Sequence, residues 1–165
     1  MTTKRNRYDI YECSIVRSSP IQHLSINLHS SHSKIGKDGG DVWLSVLGEV
    51  FDVTTGRDYY AEGTGYSVFA GQDASPSFTT GNFTAEGAAQ DLDELAVAQL
   101  SGVDGWRNFY ATHETYRKVG VLCCDYYDEE GKPTEKLTTF RERLATHAAM
   151  KKKGGAKATA AEKEL

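Results

Sequence analysis

Reactive side chains in this 165-residue chain are few and scattered. Cys13 stands alone and Cys123 and Cys124 are adjacent. That is an odd set, poorly placed for a disulfide framework, and it reads as thiols in a reducing compartment. His23, His29 and His32 form a spaced trio, but no Cys or carboxylate pattern accompanies them, so a solvated polar arm is the better reading than a metal site. His113 reads as a surface histidine at a helix end, and is the one to watch as a metal ligand. Gly63-Thr64-Gly65 lacks the third glycine and the βαβ frame of a dinucleotide loop. No Ser/His/Asp set, Cys/His set or pair of acids occurs at a spacing that suggests catalysis, which argues against an enzyme. Asn82-Phe83-Thr84 is a glycosylation sequon, relevant only to a secreted protein.

The most unusual local pattern is aromatic. Between Thr54 and Gly81, five glycines punctuate Tyr59, Tyr60, Tyr66, Phe69 and Phe78. From spacing alone, Tyr66 is an aromatic packed in a glycine-rich turn, and short helical turns joined by loops fit the segment. Before it, Val42 to Leu47 and Val50 to Val53 are strand-like runs around a Gly48-Glu49 turn, a hairpin pattern. After it, Leu92, Leu95, Leu100, Val103, Trp106 and Tyr110 fall at helical steps over 92–110, weakened at Gly102 and Gly105. Lys118 to Cys124 is β-prone, and Asp128 to Pro133 is a turn. An early hairpin, central helices and a late strand predict an α+β domain. Trp43, Phe51, Phe69, Leu95, Leu100 and Trp106 are expected in its core.

Charge separates the ends from the middle. Residues 1–40 carry six Lys/Arg against three Asp/Glu and 148–165 carry five against two, leaving 41–147 at −10. An acidic core of this kind argues against a nucleic-acid-binding domain, which needs a basic face. Residues 1–40 show no period and read as a loosely ordered arm, 41–134 as the domain, 135–150 as a C-terminal helix and 151–165 as a flexible basic tail. The tail reads as solvated, with peripheral contact to acidic lipid as the alternative. Neither an apolar signal segment nor a run of about 20 apolar residues is present. As given the chain reads as cytoplasmic, and as endomembrane-associated or secreted if its N-terminus is incomplete.

Three blocks carry a resemblance. Val42-Trp43-Leu44-Ser45-Val46-Leu47-Gly48-Glu49-Val50-Phe51-Asp52-Val53-Thr54 is followed by Tyr60-Ala61-Glu62-Gly63-Thr64-Gly65-Tyr66-Ser67-Val68-Phe69-Ala70-Gly71-Gln72-Asp73-Ala74-Ser75. Asp93 to Gln99, Trp106, and Tyr116-Arg117-Lys118-Val119-Gly120 close the set. Together they resemble the cytochrome b5-like haem/steroid-binding family, the group of membrane-associated progesterone receptor components (MAPR) and neudesin. The middle block separates this group from cytochrome b5 itself, whose His-Pro-Gly-Gly ligand motif is missing here. The chain departs from the family at Thr115, where many relatives have Lys, in lacking Pro before Gly63, and in having no recognisable opening motif upstream of Asp41.

The resemblance implies a cytochrome b5-like fold and a b-type haem whose ferric iron is held by a tyrosine, which maps onto Tyr66. A free phenol, with a pKa near ~10, is a poor ligand until deprotonated, but ferric iron stabilises the phenolate. It further implies that Tyr60 and Tyr116 support the haem edge or propionates, and that Gly63 and Gly65 let the backbone approach a flat ligand with φ > 0. A sterol, a protein partner or a haem-mediated second copy are the further ligands it suggests. The alternative is a haem-free interaction module on the same fold, a subunit of a larger complex or a neudesin-like secreted factor. Thr115 favours that alternative, and Tyr66 with its glycines favours haem.

Overall fold

The computed structural model describes residues 14–17, 23–24 and 36–161, apart from 89, 96 and 124. Cys13, Cys124, His29 and His32 lie outside the described residues. The strands are β1 (Ser14–Arg17), β2 (His23–Leu24), β3 (Trp43–Val46), β4 (Glu49–Asp52) and β5 (Arg117–Cys123). The helices are α1 (Arg57–Tyr60), α2 (Ser75–Thr80), α3 (Ala85–Ala88), α4 (Val97–Thr112) and α5 (Glu135–Ala161). All neighbouring strands are antiparallel, in the order β2-β1-β5-β4-β3. The fold is therefore α+β, with the helices grouped between β4 and β5 and after β5.

Alternation along the strands gives the sheet two apolar faces. Leu44, Val46, Phe51, Val121 and Cys123 point to the main core, where they meet Phe69 and Phe78, Leu100, Val103 and Tyr110 of α4, and Leu137 and Phe140 of α5. Trp43, Val50 and Leu122 form a smaller buried group with Val119. The β3–β4 hairpin forms as expected, but its turn is Leu47-Gly48, one residue earlier than the sequence suggests. Both turn residues are left-handed, with φ of 51° at Leu47 and 73° at Gly48. That is the twist a two-residue hairpin demands, though a leucine seldom supplies it.

The Gly71 to Ser75 stretch explains why Leu47 accepts this conformation. It runs beside β3, with Gly71 N–H donating to Trp43 O, Ser45 N–H to Gln72 O and Ala74 N–H to Ser45 O. Asp73 Oδ2 accepts from Ser45 Oγ at 2.7 Å and from the Gly48 N–H at 2.8 Å, and Oδ1 accepts from the Ser75 N–H at 3.0 Å. Ser75 Oγ in turn accepts from the Leu47 N–H at 2.6 Å. Signature residues Asp73 and Ser75 are thus clamps on the hairpin turn. Asp73→Ala is expected to cost about 2–3 kcal/mol, since each such bond ends on a charged acceptor. Urea unfolding would show a lower midpoint with an unchanged slope, and Asp73→Asn should recover part of the loss.

Three boundaries differ from the sequence reading. β1 and β2 lie within 1–40, where no period was evident; Ser14 to Arg17 pairs with Cys123 to Gly120, so cross-strand bonding far along the chain supplies what local pattern does not. α4 runs through Gly102 and Gly105 without a break, because Leu100, Val103 and Tyr110 are anchored in the core. The helix over 135–150 continues to Ala161 through an Ala- and Lys-rich sequence that favours helix despite its glycines.

Candidate functional site

Tyr60, Tyr66 and Tyr116 converge, brought together by three separate devices. Asp52 Oδ1 accepts from the Thr54 N–H and hydroxyl, and Thr54 Oγ1 accepts from the Val42 N–H, so β4 turns directly into the 3-10 turn Thr54–Gly56 and then α1. Tyr60 sits at the end of α1, buried. Next, Thr64 Oγ1 donates to Ala61 O and Tyr59 O, and the Tyr66 N–H donates to Tyr59 O at 3.0 Å, which curls 61–66 back over α1. Gly63 takes φ of 86° in this loop, a value that favours glycine; Gly65 has an ordinary φ, so only one of the two glycines meets that expectation. No atom lies within 4 Å of a Cβ built on either, so both border open space.

Tyr116 arrives from the loop before β5. Gly56 faces its hydroxyl so closely that any side chain there would collide with it. His113 stacks on the Tyr116 ring at 3.7 Å between centroids and 12° between planes. Thr115 shares a hydrogen bond with Thr55 at 2.8 Å, and its N–H donates to His113 Nδ1 at 3.3 Å. The position where many relatives have Lys is here a polar strap between the loop before β5 and the Thr54–Gly56 turn.

The Tyr66 ring lies parallel to Phe69 at 5.7 Å and 8°, edge-on to Phe83 at 5.7 Å and 84°, and 6.1 Å from the Tyr60 ring. It is 40% exposed, and its hydroxyl makes no hydrogen bond among the described residues. Phe69 leads to Phe78, on which Trp106 of α4 stacks at 4.9 Å, and Phe109 continues the wall toward Tyr116. Trp106 was expected in the core, yet it is 38% exposed, because Leu100, Val103 and Tyr110 take the inward positions of α4. Tyr66, Phe83, Trp106 and Phe109 are all partly open to solvent. Exposed aromatic faces around one unpartnered phenol suit a flat apolar ligand carrying a centre that accepts a hard oxygen donor.

The neighbouring phenols are held neutral. Burial pushes the Tyr116 phenol up to about 12, with Tyr60 adding to the shift. Burial likewise raises Tyr60 and Tyr110 above the ordinary tyrosine value. Among the described residues no three His, Cys, Asp or Glu side chains cluster to hold a metal ion. The residues that sequence reasoning left out of the site are Phe83, Phe109 and Tyr110. Tyr110 follows Trp106 at helical spacing, a signal for a shared face but not for a role.

The conspicuous feature of this α+β domain is thus an aromatic-walled phenol. Residues 28–119 match the family model of the cytochrome b5-like heme/steroid binding domain, and the chain is a member of that family. The match begins inside the segment read as an arm. Membrane-associated progesterone-binding protein 4 of Arabidopsis thaliana is 40% identical over 112 residues, 68% of this chain and 45% of that protein. Neuferricin of Xenopus tropicalis is 40% identical over 102 residues, 62% of this chain and 37% of that protein. The chain spans less than half the length of these curated relatives. A solved structure of a hypothetical Arabidopsis thaliana protein, described as having a cytochrome b5 like fold, is similar with a TM-score of 0.48 and 28% identity, covering 55% of this chain and 82% of that one. No helix among the described residues is long and apolar enough to cross a membrane.

Proposed function

We propose that this chain is a non-enzymatic haem-binding protein of the MAPR and neuferricin type, in which Tyr66 as tyrosinate holds a ferric b-type haem. The observation that carries the reading is the partly exposed Tyr66, its ring between aromatic faces, its hydroxyl without a protein hydrogen bond among the described residues, and open space over the nearby Gly63 and Gly65. When bound, such a group supplies ferric iron, for which a phenolate is a strong donor, and the resulting low potential suits binding or sensing better than electron shuttling. Burial keeps Tyr60 and Tyr116 protonated, as hydroxyl donors toward a bound ligand or its ligating oxygen. Phe83, Trp106 and Phe109 form an apolar rim where a sterol, a protein partner or a second copy would meet the ligand.

Titration of the purified protein with haemin tests this reading: a saturable one-to-one shift of the Soret band is expected, and an unchanged band would refute it. The second reading, a haem-free interaction module, is favoured by Thr115, whose hydroxyl is engaged by Thr55 and leaves no cation at that position for a propionate. Thr115→Lys is accordingly expected to tighten haemin a few-fold, on the order of 1 kcal/mol for an exposed ion pair. Equal affinities in the two proteins would show that position 115 does not limit binding.

A further inference from the structure

Beneath the exposed phenol lies a hydrogen bond between two others. The Tyr60 and Tyr110 hydroxyls are 3.1 Å apart, 50 residues apart in sequence and buried. Tyr110 is 1% exposed, packed against Phe51, Phe78 and Tyr116, and among the described residues its hydroxyl has Tyr60 as its hydrogen-bond partner. A phenol carries one proton and accepts through its lone pairs. Were Tyr60 the donor, the Tyr110 proton would be left in the core without an acceptor, a costly arrangement for a fully buried hydroxyl. With Tyr110 as donor both needs are met. The Tyr60 oxygen accepts, and its own proton is left for its other phenol neighbours, Tyr66 and Tyr116, whose rings lie 6.1 and 6.3 Å away.

We propose, resting on the haem reading above, that Tyr110 is a positioning residue: by donating to Tyr60 it aims the Tyr60 hydroxyl at the Tyr66 oxygen and thereby sets how strongly Tyr66 donates to a bound ferric centre. A hydrogen bond received by a phenolate withdraws electron density from it and weakens its donation. A chain of such bonds polarises along its length, so the outer bond is stronger when the inner one is present. Tyr110 thus tunes the site without touching the ligand.

The test uses the haemin-loaded full chain. Tyr110→Phe and Tyr60→Phe should each retain a Soret band, move the charge-transfer band and lower the midpoint potential relative to the parent protein, and the double variant should go no lower than Tyr60→Phe. A parent-like potential in Tyr110→Phe alongside a lowered one in Tyr60→Phe would overturn the proposal, as would parent-like values in both. A Tyr66→Phe protein spectrally identical to its parent would instead remove the tyrosinate reading itself, a separate outcome. A measurement independent of haem and of any variant's folding is hydroxyl-proton NMR on the ligand-free parent with labelled tyrosine. The Tyr110 hydroxyl proton should exchange slowly with water and that of Tyr60 quickly, and the reverse order would overturn the donor assignment.

Discussion

Replacing Tyr66 by Phe is expected to weaken haemin binding at least ~100-fold, about 2.8 kcal/mol, while leaving the fold intact. The size follows from what the substitution removes. Phenylalanine keeps the parallel stack on Phe69 and the edge contact with Phe83, so ring packing is preserved. The hydroxyl that is lost has no hydrogen-bond partner among the described residues, and its position is 40% exposed, so stability should change by less than about 0.5 kcal/mol. A large binding loss without a stability loss identifies a ligand rather than a packing group. Absorbance titration and thermal melting, run on the same preparations, separate the two quantities.

Glu49→Ala is expected to cost about 3 kcal/mol of stability and to change the pH dependence of folding. Glu49 of β4 is only 3% exposed, and its carboxylate receives Arg107 Nε and Nη2 of α4, each at 3.0 Å. Lys118 of β5 lies at 3.3 Å and Arg141 of α5 at 3.6 Å, with the Tyr127 hydroxyl donating at 3.3 Å. One carboxylate therefore joins two strands and two helices. Removing it strands three cations, and because these are a third to a half exposed the cost belongs at the lower end for a broken buried pair. For a chain of this size the melting temperature should fall by roughly 8 °C.

Burial alone would raise the Glu49 carboxyl, but the hydrogen bonds of Arg107 and the charges of Lys118 and Arg107 outweigh it and hold the group below the usual carboxylate range. A depressed folded-state pKa stabilises the protein at pH values above the unfolded glutamate value, near ~4.3, and that stabilisation is lost as pH falls through the lower folded value. The gap between the parent and Glu49→Ala should be widest at neutral pH and shrink below pH ~4. Denaturant titrations at neutral and acid pH would show this, and a gap constant with pH would remove the charge-based account.

The parts of this molecule legible in its sequence are those with a local cause. Two short apolar runs around a glycine mark the hairpin over 42–53, and apolar spacing marks α4. The local pattern puts the hairpin turn one residue late, at Gly48-Glu49, because the left-handed Leu47-Gly48 pair is held by Ser75, 28 residues further along the chain from Leu47, and by Asp73. β1 escaped notice for the same reason, since its partner β5 lies at the other end of the domain. In the site, glycine spacing and family resemblance drew attention to Tyr60, Tyr66 and Tyr116, and these side chains do gather. Tyr110 did not stand out, because a tyrosine at helical spacing looks like core, and its distinction is a hydroxyl contact that only the folded chain creates. In sequence Thr115 stands out only as a missing lysine; in the fold it bridges Thr55 and His113.

Resonance Raman scattering of the haemin-loaded protein, excited within its charge-transfer band, tests most directly whether Tyr66 ligates ferric haem. Enhanced phenolate vibrations that shift with ring-deuterated tyrosine are expected in the parent protein and in Tyr60→Phe, and none in Tyr66→Phe. Phenolate modes persisting in Tyr66→Phe, or a parent spectrum with no phenolate modes at all, would contradict the account.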